Sequence, residues 1–180
     1  MFAKDLTKLK ANAWSKDLFS ILLGSFLLAI FANISIPLPF TPVPIVTQNF
    51  IAILIGIVLG PKRGALSILA FFAQGAAGLP VFAKMTSGYE MFVGPTGGYL
   101  VGYLFSAVLA GYVAKKKTSL NLLLAMALGV GCQYTLGLAQ LAYFVGFKNV
   151  LALGFYPFIV GDLLKMAVSH QVLSFLSKKS

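Results

Sequence analysis

The sequence predicts an all-α integral membrane protein of six transmembrane helices, and three observations predict it. Apolar residues make up 59% of the 180-residue chain. Charged residues make up only 10%, whereas a soluble domain carries roughly a quarter. The charges are also segregated. Stretches without Asp, Glu, Lys or Arg run from Leu18 to Pro61, Gly64 to Ala83, Met91 to Ala114 and Thr118 to Phe147. Each matches or exceeds the roughly 20 helical residues that cross a hydrocarbon core.

Taken in order, the spans read as Leu18–Ile36, Ile45–Leu59, Gly64–Leu79, Thr96–Ala114, Leu120–Val145 and Val150–Leu176. The second is short and is expected to end beneath a loop rather than at the membrane surface. The last is expected to break at Pro157 and Gly161. The domain reading is a basic N-terminal segment (1–17), one six-helix domain (18–177) and a short tail (178–180). Met1 to Lys16 is polar and basic, and no A-x-A site follows it. It therefore reads as a cytoplasmic segment rather than a cleavable signal peptide.

Charge distribution sets the predicted orientation. Lys4, Lys8, Lys10 and Lys16 precede the first span, Lys62 and Arg63 follow the second, Lys115–Lys117 follow the fourth, and Lys178 and Lys179 end the chain. Six spans put all of these on one side and leave only Lys84 and Lys148 opposite, with Lys165 inside a helix. The positive-inside rule makes that side, and both termini, cytoplasmic. The net charge of +10 is thus explained by topology. No soluble module uses it for nucleic acid.

Two segments on the opposite side are unusual. Pro37-Leu-Pro-Phe-Thr-Pro-Val-Pro44 is stiff and poor in backbone donors, yet apolar, as a strap folded over the bundle would be. Pro80 to Pro95 carries Lys84, Tyr89 and Glu90 and leads into Gly94-Pro-Thr-Gly-Gly-Tyr99. Its Gly and Pro argue against regular helix, with Thr96 as the cap of the next one. Irregular backbone near membrane depth is tolerated where protein or a cavity buries it. Both segments point to a covered pocket open to the outside.

An ionisable residue within a span is costly and defaults to a functional hypothesis. Asp162 and Lys165 lie three apart, on one helix face. They read either as an internal ion pair that fixes packing or as a polar clamp for a ligand with adjacent N–H and C=O groups. Gly161 would let such a ligand approach the backbone. Thr47, Gln48 and Asn49 adjoin the strap at the start of the second span. Asn33, Gln74, Gln133 and Gln140 read first as interhelical hydrogen-bonding groups. Tyr89, Tyr99, Tyr143 and Tyr156 fall near the outer interface, where aromatic residues are common, and one or two of them suit a pocket wall. Small-residue spacings (Gly24/Ser25 with Ala29, Gly56 with Gly60, Gly98 with Gly102) permit close helix contact.

Other chemistries find no residues. The only histidine, His170, lies near the cytoplasmic end of the last helix, and the only cysteine, Cys132, sits in an apolar run. There is no cluster with metal-ligand spacing, no phosphate-cradling G-x-x-x-x-G-K-[ST] loop and no Ser-His-Asp set. The chain is not expected to be an enzyme, to hold a cofactor or metal, or to hydrolyse ATP itself.

Five segments together resemble a known family: Pro37-Leu-Pro-Phe-Thr-Pro-Val-Pro-Ile-Val-Thr-Gln48, Leu59-Gly-Pro-Lys-Arg-Gly-Ala65, Gly78-Leu-Pro-Val-Phe82, Gly94-Pro-Thr-Gly-Gly-Tyr99 and Gly161-Asp-Leu-Leu-Lys165. In this order they are similar to BioY, the biotin-binding substrate (S) component of energy-coupling factor (ECF) transporters. The resemblance implies a subunit of the bacterial plasma membrane with an outward-facing biotin site. Its implied partners are a transmembrane coupling protein (EcfT-like) and two cytoplasmic ATPases (EcfA-like). It implies site residues Asp162, Lys165, Thr47 and Gln48, with ligand contacts from the outer loop (Lys84, Tyr89) and from Tyr99 and the pocket wall near Gln140. Lys84, Glu90 and Gln140 depart from the family's usual residues. For a biotin ligand, Asp162 would accept from a ureido N–H and Lys165 would donate to the ureido oxygen. The carboxylate would reach Lys84 or outer-loop backbone donors, the reverse pose, with Lys165 on the carboxylate, remaining open. A different vitamin, an intramembrane transferase activity and a purely structural assembly subunit, in which Asp162 and Lys165 are merely an ion pair, are the competing readings.

Overall fold

The computed structural model describes residues 2–177, with side chains placed for 14–175. The side chains of Lys4, Lys8 and Lys10, and all of Lys178 and Lys179, lie outside the described residues. Helix α1 spans Phe2–Asn33 and α2 Gln48–Ala76. The short α3 (Glu90–Val93) is followed by α4 (Gly97–Val113), α5 (Ser119–Val145), α6 (Val150–Gly154) and α7 (Tyr156–Ser177). Five helical stretches are long and apolar enough to cross a bilayer.

The second of these stretches is two spans rather than one. Gly60 has φ 83° and ψ 170° and is followed by Pro61, so the helical path ends there and restarts. A Cβ added to Gly64 would stand 2.9 Å from Gly56 Cα. In a continuous helix those residues would be about 12 Å apart. The chain therefore turns back on itself at Gly60, a conformation that favours glycine, and Pro61 opens the returning limb where its missing N–H costs nothing. With α6 and α7 read as one broken span, the six expected crossings are accounted for. The outgoing limb, 48–59, rises only about 18 Å, so its N-terminus ends below the surface of the bundle, as its length predicts.

Helix α4 is the centre of the bundle, lying between α2 and α5. Its Tyr103 and Ala107 pack with Ala52, Ile55, Ile68 and Phe71 of α2 in one buried cluster. On the other side, Ala110 joins Ile53 and Ile57 of α2 and Leu122, Ala125 and Met126 of α5. Such proximity requires small residues, because lipid tails are as apolar as the helices and only close packing draws them together. A Cβ on Gly56 would collide with the Ala107 carbonyl. By contrast α1 packs mainly on α2 and presents Trp14, Phe19 and Phe26 outward, as a lipid-facing helix does.

The strap folds as expected. Ser35–Ile36 and Ile45–Val46 pair as a two-stranded antiparallel ribbon, and the prolines form its tip. Thr41 Oγ1 donates to the Leu153 carbonyl at 2.7 Å. Val43 is buried with Leu141, Ala142, Val150 and Phe158 of the last three helices. The strap thus spans from α1 to the α5–α7 side.

Several local expectations need correction. The last span breaks at Phe155 (φ −128°, ψ −61°), not at Pro157 or Gly161. Pro157 falls in the first turn of α7, where it has no hydrogen bond to lose. A Cβ on Gly161 would meet nothing within 4 Å, so no close approach demands glycine there. The outer loop includes the helical turn α3 despite its Gly and Pro content. Thr96 holds the N-cap position of α4, but its hydroxyl makes no cap bond; the Tyr99 and Leu100 N–H groups donate instead to its carbonyl.

Basic residues gather at one end. Gly111, one turn before Lys115, packs against Pro61 and Gly56, which brings Lys62 and Arg63 beside Lys115–Lys117. Arg63 Nη2 pairs with Asp17 Oδ1 at 2.6 Å, and Ser119 Oγ meets His170 Nε2 at 2.9 Å. The strap and outer loop lie at the other end. Gly56→Val is expected to destabilise the bundle by about 3 kcal/mol or more through overpacking against α4. Thermal unfolding in detergent, read against Gly131→Ala at an open position, checks this; equal stability of the two variants would refute the close-packing account.

Candidate ligand site

At the strap end the helices line a partly open cavity of about 330 Å³, within the range of small-molecule pockets. Its roof is Pro42–Pro44 of the strap. The N-terminus of α2 supplies Gln48 and Asn49, the outer loop Phe82, Ala83, Lys84 and Thr86, α4 Tyr99 and Tyr103, α5 Gln133 and Tyr134, and α7 Phe158, Asp162 and Lys165.

The charged pair lies on the wall. Lys165 Nζ stands 3.0 Å from Asp162 Oδ1. Its other donors reach Val46 O at 2.7 Å and Asn49 Oδ1 at 3.1 Å, so all three ammonium hydrogens have protein acceptors. The Phe50 ring lies 5.8 Å from the same ammonium. Asp162 is buried and accepts three hydrogen bonds: from Lys165, from Asn49 Nδ2 at 3.1 Å, and from Tyr134 OH at 2.6 Å on Oδ2. A carboxylate has about four acceptor positions, which leaves one for a ligand N–H. The pair is the ion pair that was one of the two sequence readings, tying α2, α5 and α7 together, and it also lines the cavity.

Beside it is a donor without a partner. Gln48 is 2% exposed, lines the cavity, and its Nε2 is buried with no hydrogen-bond acceptor among the described residues. Leaving such a group unpaired costs about 1–3 kcal/mol, so an acceptor presented there gains that much. Gln133, a neighbouring amide, has by contrast both donor hydrogens engaged, donating to Asn49 O and Ser106 Oγ, both at 2.9 Å.

Apolar and aromatic walls complete the site. Phe82 is buried and packs edge-on against Phe71 and Phe92, with centroids 5.2 and 5.6 Å apart. It fits because Gly75 of α2 has no side chain where the Phe82 ring lies. Tyr99 OH donates to Gly154 O at 2.8 Å, anchoring α4 to the break between α6 and α7. At the mouth, Lys84 and Met85 both adopt left-handed backbone (φ 60° and 58°), a conformation costing a non-glycine residue roughly 1–2 kcal/mol.

Of the expected site residues, Asp162, Lys165, Gln48, Lys84 and Tyr99 line the cavity. Thr47, Tyr89 and Gln140 do not. Thr47 caps α2 through its carbonyl, which accepts from Phe50 and Ile51. Tyr89 is 71% exposed. Gln140 sits behind the wall, its Nε2 donating to Phe92 O (2.8 Å) and Gly94 O (2.7 Å), where it fastens the α3–α4 connection to α5. Tyr143 and Tyr156 are exposed. Tyr103, Tyr134, Phe82 and Phe158 were not singled out from sequence. Position along the span was the available signal: a mid-span tyrosine lies far from an interfacial belt, and its hydroxyl must find a partner.

The fold and site define a class: a multi-pass membrane protein with a small, partly open cavity at one end of a six-span bundle. The BioY family model matches residues 4–179. A biotin transporter BioY of Thermotoga maritima is 38% identical over 157 residues, covering 86% of this chain and 93% of its own. A probable biotin transporter BioY of Pyrococcus horikoshii is 39% identical over 155 residues, covering 86% and 92%. A crystal structure of the S-component for biotin from an ECF-type ABC transporter superposes with a TM-score of 0.79 at 29% identity, over 94% of each chain. The chain belongs to the BioY family.

If the pair is a neutralised unit, removing half of it should be worse than removing both. Lys165→Met, which strands a buried carboxylate, is expected to lower stability by about 3–5 kcal/mol. Asp162→Asn/Lys165→Met should recover much of that. Chemical unfolding in detergent measures both, and a double variant no more stable than Lys165→Met would contradict the account.

Proposed function

We propose that this chain captures biotin at the outer membrane surface and delivers it inward as the substrate-specific subunit of an ECF-type transporter. Its relatives and its structural neighbour are transporter components rather than enzymes, which removes the ground for a transferase. The observation that supports biotin best is that two residues lining one mainly apolar cavity keep unused hydrogen-bonding capacity: Asp162 has one acceptor position left, and the buried Gln48 Nε2, which a small side-chain rotation would turn toward a ligand, has no partner. A cyclic urea presents N–H donors beside a carbonyl acceptor. Asp162 accepts from one N–H, and Gln48 Nε2 donates to the oxygen. Lys165, with its hydrogens already engaged, polarises and orients Asp162 rather than gripping the ureido oxygen as the sequence suggested. The thioether ring lies against Phe82, Tyr99, Tyr103 and Phe158, and the carboxylate points to the mouth near Lys84.

In this reading the strap end faces outward and the basic end, with both termini, faces the cytoplasm. A coupling protein and ATPases of the EcfT and EcfA kind engage the chain and supply energy, for which this chain has no nucleotide-binding loop of its own.

Radiolabelled biotin is expected to remain with the purified chain. Asp162→Asn and Gln48→Leu should each weaken equilibrium binding about tenfold to a hundredfold, the cost of losing a hydrogen bond to a polar or charged partner. Undiminished affinity in both Asp162→Asn and Lys165→Ala would sink the site.

A further inference from the structure

Two consecutive non-glycine residues in left-handed backbone form an outlier that something must hold in place. Lys84 (φ 60°, ψ 32°) and Met85 (φ 58°) form such a turn, closed by a bridge between Phe82 and Thr86. The Met85 N–H, at the crest of the turn, donates to Asn33 Oδ1 at 3.0 Å. Asn33 is the last residue of α1, far away in sequence, and its own Nδ2 donates to Ala29 O at 3.0 Å. Both ends of this side chain are thus used, one on the helix and one on the turn.

What the turn presents is a cation. Lys84 lines the cavity mouth and, among the described residues, its ammonium has no ion-pair or hydrogen-bond partner. The other lining cation, Lys165, has every hydrogen engaged. Glu90 lines the same mouth and repels an anion on its side. An anionic ligand end entering here is left one place to go.

We infer that Asn33 is a positioning residue that braces the left-handed Lys84–Met85 turn and so aims the Lys84 ammonium at the anionic end of the captured ligand. The inference rests on the biotin reading for the identity of that ligand. It assigns charge selectivity to a residue outside the cavity.

The test compares biotin with neutral biotinamide in equilibrium binding to the full chain in lipid nanodiscs. The wild type should prefer biotin about tenfold, the scale of one charge-assisted contact. Lys84→Ala should bring the two affinities together. Asn33→Ala should do the same while leaving biotinamide affinity unchanged, a result that general structural damage would not give. Adding Met85→Gly, which reaches positive φ freely, should return part of the preference to Asn33→Ala. Retained preference in Asn33→Ala or in Lys84→Ala overturns the inference, as does equal loss of both ligands in Asn33→Ala. A wild type that binds both ligands equally overturns the inference alone. A wild type that binds neither overturns the biotin reading, and the inference falls with it.

Discussion

A carboxylate buried within a membrane bundle must be neutralised and hydrogen-bonded, and the architecture around the cavity meets that requirement at Asp162. An isolated charge there would cost several kcal/mol even after relaxation. Lys165 supplies the counter-charge from the same helix face. Asn49 and Tyr134 supply hydrogen bonds from α2 and α5, and the Val46 carbonyl holds the lysine from the strap's return strand. Four elements converge because one charge has to be satisfied. The start of α2 at Gln48, directly after the return strand, is what places both Asn49 and the Val46 carbonyl against the pair.

That convergence also explains why the cavity persists beside the pair. The polar groups crosslink the walls from the side, whereas the core clusters of α2, α4 and α5 draw the helices together deeper in the bundle. Aromatic residues hold the upper walls apart and are themselves fixed by contacts behind the cavity. Phe82 is fixed by Phe71, Phe92 and the absent side chain of Gly75, and Tyr99 by Gly154. Gln140 belongs to the same outer frame. As a departure from the family's usual residue it looked like an altered pocket wall, but it serves as a tie holding the α3–α4 connection from outside.

The number of crossings, the basic end, the strap and the charged pair were legible because each rests on a local or cumulative signal. Charge-free runs are additive, and proline density or an i, i+3 pair is visible in a single segment. Less legible was whatever depends on partners distant in sequence. That Lys165 would be fully engaged could not be read from its own helix, because two of its acceptors lie on Val46 and Asn49. Tyr134 became part of the site only through Asp162, twenty-eight positions away. The Gly60 reversal was expected as a loop between spans. Its tightness depends on glycine's positive φ and on the near-contact of Gly56 with Gly64, which no hydropathy pattern contains.

The distribution of satisfied and unsatisfied groups separates scaffold from site more sharply than residue type does. Asp162, Lys165, Asn49 and Gln133 were all candidates because polar groups are rare in spans, yet three of them spend their donors on the protein itself. Gln48 and Lys84 do not. One carries a buried, unpartnered amide donor on a cavity-lining side chain, the other is an ammonium at the cavity mouth held by strained backbone. Recognition of a ligand needs groups whose hydrogen bonds are not already spent, and these must be held still by groups whose bonds are. The Asp162 cluster provides that rigidity below and, in the proposed reading, the Asn33 brace provides it above, so that the space between them suits a molecule with an acceptor at one end and a negative charge at the other.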